Sequence, residues 1–164
     1  MKWIKELIPY VIIVIVVFLI RTYIITPVKV QGTSMNPTLK NGEVMILNKW
    51  DNNYKRFSIV VLTYENKKLI KRVIGVAGDN VKYKNNKLYI NGKYVKENFK
   101  HKKTDNFSLE ELGYDKIPEG YYLVLGDNRT NSMDSRLIGL INEKDIQGTT
   151  NFSLFPFSTF GLVK

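Results

Sequence analysis

The chain has 164 residues, enough for one domain and an appendage, and its formal net charge is +10. It contains no cysteine and a single histidine, His101, which excludes disulfides, a thiol nucleophile and a histidine-based zinc site, so no metal is expected. The lysines are scattered among Asn and Tyr without a helix-turn-helix, zinc-finger or RNA-binding signature, so we expect no nucleic-acid partner.

The N-terminal segment is predicted to form a membrane anchor. Residues 7–20 are apolar apart from one tyrosine, although a helix needs about 20 such residues to cross a bilayer. The following RTYIITPVKV lacks the small residues of a signal-peptide cleavage site, which indicates a retained anchor over about Trp3–Ile25. A buried core helix is disfavoured because the run has no polar face. Lys2 and Lys5 before the run favour a single pass with a cytoplasmic N-terminus.

Beyond the anchor the sequence changes to the alternation that is typical of β-strands. The Asn-Asn at 85–86 and the Asn-Gly at 91–92 predict a meander of short strands joined by tight turns. We therefore predict a mostly β chain, with the anchor at residues 1–25 and one extracytoplasmic domain at residues 26–164. Strands are predicted in EVMILNK, SIVVLTY, NKKLIKRVIGVAGD, NVKYKNNKLYINGKYV and GYYLVLGDN.

Two further segments lie outside these strands. Residues 97–112, ENFKHKKTDNFSLEEL, are predicted to be a polar excursion with a helical turn after Ser108, and the single histidine in it is expected to be solvated. The tail NFSLFPFSTFGLVK is too aromatic for a free tail, and we expect it to pack on the core or to lie near the bilayer.

The segment VQGTSMNPTL contains a serine, Ser34, that two interpretations explain. Its Gly, Ser, Thr, Asn and Pro are the residues of turns, so composition alone predicts a loop. In the other interpretation Ser34 is a nucleophile at the membrane surface. A Ser-His-Asp arrangement has little support in a chain with one isolated histidine, so the base would be a lysine whose pKa is lowered by desolvation.

Lys71 is the lysine that stands apart, because it lies in the apolar segment LIKRVIGV. On a strand, alternate residues share a face, which would place Lys71 beside Leu69 and Val73 and turn Arg72 to the other side. Loss of hydration on such a face favours the uncharged amine. A lysine that guards a strand edge against aggregation explains this segment equally well.

A third polar segment, GDNRTNSMDSR at residues 126–136, follows an apolar strand. A turn with local salt bridges accounts for it without any function. Alternatively, Ser132 offers a hydroxyl that would orient the lysine, and Asp127 or Asp134 offers the anion that Arg72 needs.

Taken together, GTSMNPTL, KRVIGVAGD and GDNRTNSMDSR resemble, in this order, the characteristic boxes of the type I signal peptidases. These are membrane-bound Ser-Lys proteases that remove signal peptides. KLYINGKYV, PEGYYLVLGDN and the single N-terminal anchor resemble the Gram-positive form, so the resemblance covers nearly the whole chain. It implies a signal-peptidase-like β-barrel or sandwich catalytic domain at the outer face of the cytoplasmic membrane.

The resemblance also implies roles for individual residues. Ser34 would be the nucleophile, with its backbone N–H in the oxyanion hole, and Lys71 the general base. Ser132 would orient the lysine by a hydrogen bond, and Met35 would line the substrate cleft. The implied partners are preprotein signal peptides and the lipid membrane, and no cofactor or metal is implied. The implied supporting residues are Arg72, Asp134 and Arg136 in a salt-bridge group, and Asp127 as a structural acid.

Two positions depart from the family pattern. Gly32 stands where some relatives have a serine whose hydroxyl assists the oxyanion hole, although Gram-positive relatives have glycine there. Phe57 and Ser58 stand where the family usually has Gly-Asp. The alternative functions are a specialised or non-enzymatic accessory in pilus or secretion assembly, a repressor-type self-cleaving protease and a lipid-binding β module. The anchor and the presence of both dyad residues favour the peptidase.

Overall fold

The computed structural model describes residues 2–23 and 25–163, which are mostly β, as predicted. The helices are Lys2–Tyr23 (α1) and Ser135–Ile138 (α2), with short 3-10 turns at Leu109–Leu112, Glu143–Asp145 and Phe157–Thr159. The strands are Ile25–Lys29 (β1), Val44–Asn48 (β2), Ile59–Tyr64 (β3), Lys67–Gly75 (β4), Val81–Lys84 (β5), Lys87–Ile90 (β6), Lys93–Val95 (β7), Phe107–Ser108 (β8), Tyr121–Leu125 (β9), Ile141–Asn142 (β10), Ile146–Phe155 (β11) and Gly161–Leu162 (β12).

The N-terminal helix α1 carries the predicted anchor. Its residues 7–19 are all exposed, so these side chains lie outside the core. Across the described parts of the chain, no helix combines the length and the apolar character that a membrane crossing requires. The structure therefore gives the predicted transmembrane span no support, and the division of the chain after residue 25 stays a prediction.

The larger sheet has eight antiparallel strands in the order β1-β2-β11-β3-β4-β9-β10, with β12 added to β11. Strand β4 pairs with β3 from Lys67 to Arg72, so that Val60 lies opposite Lys71 and Ile59 opposite Arg72. On its other side, β4 pairs with β9 only from Arg72 onward. The first half of β4 is therefore unpaired along one side, and Lys71 is the last residue before the pairing with β9 begins.

The smaller sheet has the order β7-β6-β5-β8 and contains the predicted meander. Asn85, Asn86, Asn91 and Gly92 all have positive φ, between 51° and 77°, at the two predicted turns. Asn and Gly tolerate this left-handed region better than other residues, which is why these dipeptides terminate the strands where the sequence indicates.

The core is densest around β3, β4 and β9. Val60, Val61 and Leu62 on β3 have no exposed surface, because this strand is covered on both faces. A second cluster of buried side chains includes Met35 and Leu39, which belong to the loop between β1 and β2. Burying side chains of this size stabilises the fold by about 1.5–3 kcal/mol each, so the loop is anchored to the core.

The excursion at residues 97–112 packs partly on the rest of the domain, and the prediction that His101 is solvated is wrong. The Glu97 side chain, 4% exposed, and the buried Thr104 both contact Arg129. Arg129 Nη2 lies 2.6 Å from Glu97 Oε1, and Nη1 lies 2.8 Å from Thr104 Oγ1. His101 is half-buried, with Nε2 3.4 Å from Glu97 Oε2. A buried guanidinium requires an anionic partner, and the excursion supplies it. The predicted helical turn after Ser108 is confirmed.

The aromatic tail is partly packed. It forms the end of β11 and then folds back as β12, where the rings of Phe152 and Phe160 meet edge to face at 5.1 Å. Phe155 and Phe157 remain 52% and 83% exposed, so much of the aromatic surface faces outward.

Candidate active site

Ser34 and Lys71 are in hydrogen-bond contact although 37 residues separate them in the chain, with Lys71 Nζ 2.7 Å from Ser34 Oγ. Ser34 is half-buried in the loop between β1 and β2, whereas Lys71 lies in β4 with 2% of its surface exposed. A hydroxyl and an amine at this distance can exchange a proton when the amine is neutral.

The loop holds Ser34 in place through its backbone and its neighbours. Gly32 has a φ of +82°, and its N–H donates to Asn41 Oδ1 at 2.9 Å. A serine at position 32 would be strained by this left-handed backbone, which explains the glycine there. After Ser34, Met35 and Leu39 are buried, and the Leu39 N–H donates to the Met35 carbonyl at 2.9 Å.

Burial lowers the pKa of Lys71 to about 8, since it removes the water that would solvate an ammonium. The carboxylates of Asp134 and Asp127 act in the opposite direction but are outweighed. Lys71 Nζ has one further contact, donating to the Ile70 carbonyl oxygen at 3.1 Å. A substantial fraction of Lys71 is therefore neutral near physiological pH.

The charged residues near the lysine form two separate ion pairs. Arg72 donates to both carboxylate oxygens of Asp127, from Nε at 3.0 Å and from Nη2 at 2.7 Å, and the pair is buried. Asp134 pairs with Arg136 and also accepts from the Gly126 N–H at 3.0 Å. Of the two anions that the sequence offered to Arg72, the structure selects Asp127.

The predicted hydrogen bond from Ser132 to Lys71 is not formed. Ser132 Oγ is buried and has no hydrogen-bond partner among the described residues, and the Ile70 carbonyl is the additional acceptor for Lys71. Ser132 nevertheless lies near the dyad. Both Ser132 Oγ and the Ser34 carbonyl oxygen are so close to Gly126 that a methyl group on this glycine would overlap them. The prediction thus located the residue near the site but gave it the wrong contact.

Asn128 is a site residue that the sequence interpretation missed. Its backbone N–H donates to the Ser34 carbonyl at 2.9 Å, and its side-chain Nδ2 donates to the Thr33 carbonyl at 3.0 Å. It is 3% exposed, so both bonds are shielded from water. Asn128 therefore fastens the serine loop to the segment that follows β9. Its position directly after Asp127 was the one available signal.

The second departure from the family pattern also has a structural account. Phe57 has a φ of +72°, a conformation that normally favours glycine and costs other residues about 1–2 kcal/mol. Its carbonyl accepts from Arg72 Nη1 at 2.9 Å, and its ring packs on Phe99, which also lies under the Arg72 guanidinium. These contacts offset the strain of a turn that lacks glycine.

A cleft of about 390 Å³ begins at the dyad. Residues 27–31 form one wall and residues 66–71 the other, and Ser34 and the buried Met35 also line it. Over the described residues, β1 pairs only with β2, and β4 lacks a second partner before Arg72. Both walls therefore offer unpaired strand edges, which can bind an extended peptide through its backbone.

A serine hydroxyl against a buried amine, at the end of a cleft shaped for an extended chain, defines a site for peptide-bond hydrolysis. The family described as "Signal peptidase, peptidase S26" matches residues 1–155. The chain belongs to this family, and it is therefore a serine endopeptidase.

Named relatives agree with this assignment. Signal peptidase I of Bacillus amyloliquefaciens is 44% identical over 96% of this chain and 89% of its own length. Signal peptidase IB of Staphylococcus aureus strain Mu50 is 41% identical over 95% of this chain and 93% of its own. The crystal structure of a signal peptidase I from Enterococcus faecalis V583 is similar with a TM-score of 0.54 and 34% identity, covering 58% of this chain and 94% of that one.

Proposed function

We propose that this chain removes N-terminal signal peptides from secreted preproteins, with Ser34 as nucleophile and Lys71 as general base. The observation that carries the proposal is the 2.7 Å contact between Lys71 Nζ and Ser34 Oγ at the cleft. A non-enzymatic accessory in secretion or pilus assembly is disfavoured, because both reacting groups are present and in contact and the relatives are named as peptidases.

In the first half of the reaction Ser34 Oγ attacks the scissile carbonyl carbon while neutral Lys71 takes the hydroxyl proton. The backbone N–H of Ser34 stabilises the oxyanion that forms. The Lys71 ammonium then gives its proton to the leaving amine as the C–N bond breaks. In the second half, water attacks the acyl carbon while Lys71 takes its proton, and Lys71 then returns a proton to Ser34 Oγ as the ester C–O bond breaks. The signal peptide leaves with a free terminal carboxyl group, and the Ser34 hydroxyl is restored.

Other residues support this chemistry by holding the reacting groups. Asn128 fixes the carbonyls of Thr33 and Ser34, and because the Thr33 carbonyl and the Ser34 N–H share one peptide plane, this also sets the direction of the Ser34 N–H. Asp134 is held by Arg136 and accepts a hydrogen bond from the Gly126 N–H. This bond positions Gly126, the residue after β9, which lies against Ser132. We assign the Arg72–Asp127 and Asp134–Arg136 pairs to this supporting role and Met35 to the substrate cleft.

The site operates, in this proposal, at the outer face of the cytoplasmic membrane. Residues 1–25 attach the chain to the bilayer with the N-terminus in the cytoplasm, and residues 26–164 form the catalytic domain. Two observations support the attachment. The apolar side chains of residues 7–19 are exposed, and Lys2 and Lys5 precede them.

Substitution of either reacting group tests the proposal directly. We expect Ser34→Ala and Lys71→Ala each to lower the rate of preprotein cleavage at least about 1,000-fold, since each removes a group that takes part in every turnover. The measurement is cleavage of a purified preprotein by purified protein in detergent. Ser158→Ala and Lys82→Ala, which change exposed residues away from the site, serve as matched controls. A dyad variant that cleaves at the wild-type rate would refute the assignment.

A further inference from the structure

The cleft beside the dyad is bordered by a set of lysines that catalysis does not use. Lys29, at the end of β1, and Lys67 and Lys68, at the start of β4, line the cleft and are exposed; we call them the lysine rim. Among the described residues that line the cleft, none is an Asp or a Glu. Within the described chain, none of the three forms a salt bridge. The rim therefore carries uncompensated positive charge.

The rim lies at a defined distance from the reacting groups. Lys67 and Lys68 precede Lys71 by four and three residues on the same strand, which corresponds to roughly 10–13 Å at about 3.3 Å per residue. A substrate bound in extended form along β4 rises by the same amount per residue. Its side chains about four residues from the scissile bond therefore come alongside the rim, with Lys29 on the facing wall.

We propose that the lysine rim selects preproteins that carry Asp or Glu near the fourth residue before the cut. This inference rests on the proposed function, and it places the part of the preprotein on the N-terminal side of the cut along the cleft. A carboxylate there would meet positive charge from both walls, whereas a lysine would be repelled. Glu65, on the turn before β4, is the nearest acid in sequence, but it does not line the cleft.

The size of the selection follows from the exposure of the lysines. Solvated pairs of opposite charge are screened by water and salt, so each contributes modestly and mainly at low ionic strength. We expect Glu to raise kcat/KM over Gln by about two- to fivefold at this position. The effect should appear in KM and not in kcat, because the rim does not touch the reacting atoms.

A panel of synthetic peptides tests this inference. The peptides share one cleavable sequence and carry Glu or Gln, in turn, at the second to fifth residue before the cut. The full-length protein in neutral detergent is compared with the double variant Lys67→Gln/Lys68→Gln. The control is Lys82→Gln/Lys84→Gln, which removes the same charge from exposed positions on β5, away from the cleft.

The expected result is a Glu-over-Gln preference near the fourth position that disappears in about 0.5 M salt and in the rim variant but not in the control. Equal rates for Glu and Gln, with cleavage of the Gln peptides intact, would overturn the inference and leave the proposed function standing. The same comparison is repeated with vesicles of anionic lipid in place of the detergent. A rim effect that appears only with these vesicles would also overturn the inference, in favour of lipid binding. Failure to cleave any peptide would overturn both proposals.

Discussion

Lys71 is the residue whose environment decides the chemistry. Burial of a lysine disfavours its charged form, and the two carboxylates nearby limit that effect without reversing it. The resulting pKa of about 8 suits both halves of the reaction. The amine is neutral often enough to take a proton from Ser34, and the ammonium is acidic enough to return that proton to a leaving amine.

The activity should consequently rise with pH. Below a pKa of about 8, Lys71 is mostly protonated and cannot act as base, so kcat/KM should fall about tenfold for each unit of decreasing pH. Above this pKa the neutral amine predominates and the profile should level off. The measurement is kcat/KM on a peptide without ionisable side chains between about pH 6 and pH 10. A profile that stays level down to the acidic end would argue against a lysine base.

At the scale of single residues, the sequence identified the residues of the site better than the hydrogen bonds that they form. Lys71 could be recognised because apolar neighbours distinguish it from the other lysines. The hydrogen bond from Lys71 to the Ile70 carbonyl could not be predicted. Every residue has a carbonyl group, and the sequence does not show which one lies near the amine. Asn128 was equally hidden among many asparagines, and the sequence carries no signal for the environment that leaves Ser132 Oγ without a partner among the described residues.

At the scale of elements, a glycine lies at the end of each of two neighbouring strands, at a position where the surrounding atoms leave no room for a side chain. Gly75 ends β4, and a methyl group there would overlap Ile117 and Val81 in the core. Gly126 follows β9, and a methyl group there would overlap Ser132 and the Ser34 carbonyl. Neither lies in the left-handed region, so the constraint is close approach of other atoms.

These two glycines form a matched pair for separating activity from stability. We expect Gly126→Ala to lower kcat at least about 100-fold in a protein that remains folded, because the methyl group displaces groups at the dyad. Gly75→Ala should instead lower the free energy of unfolding by about 1–3 kcal/mol through overpacking, while the folded fraction keeps its kcat. Thermal unfolding and active-site titration of both variants distinguish these results. Equal activity loss in both would show that Gly126 acts only through stability.

The strands differ in how well the sequence predicted them. β5 and β6 were predicted from their period-two alternation, and β2 and β3 from β-branched or aliphatic runs bounded by polar residues. β1 was missed because it follows the apolar helix directly and contains Pro27. β11 was missed because Gly148 lies at a register shift that interrupts its alternation. Two of its neighbours in the sheet, β2 and β3, come from distant parts of the chain, and no local sequence pattern indicates these pairings.

At the scale of the whole molecule, the helix and the β domain are expected to have separable tasks. A fragment that begins at Ile25 keeps the pairing of β1 with β2, so it should fold and cleave short peptides at a rate close to that of the full chain. It should lose membrane attachment, because the exposed apolar side chains of residues 7–19 are removed. Flotation with phospholipid vesicles measures this, with the full chain as control. Flotation of the fragment to the same extent as the full chain would contradict the proposed attachment.

The serine, the lysine and the clamp on the serine loop come from three distant parts of the chain. Ser34 lies 37 residues before Lys71, and the clamp from Asn128 reaches back 95 residues to Thr33. An unfolded chain therefore has both reacting residues but is not an active protease, because they are not yet in contact. Folding of the sheet is therefore the step that brings the reacting groups together and makes the chain competent for catalysis.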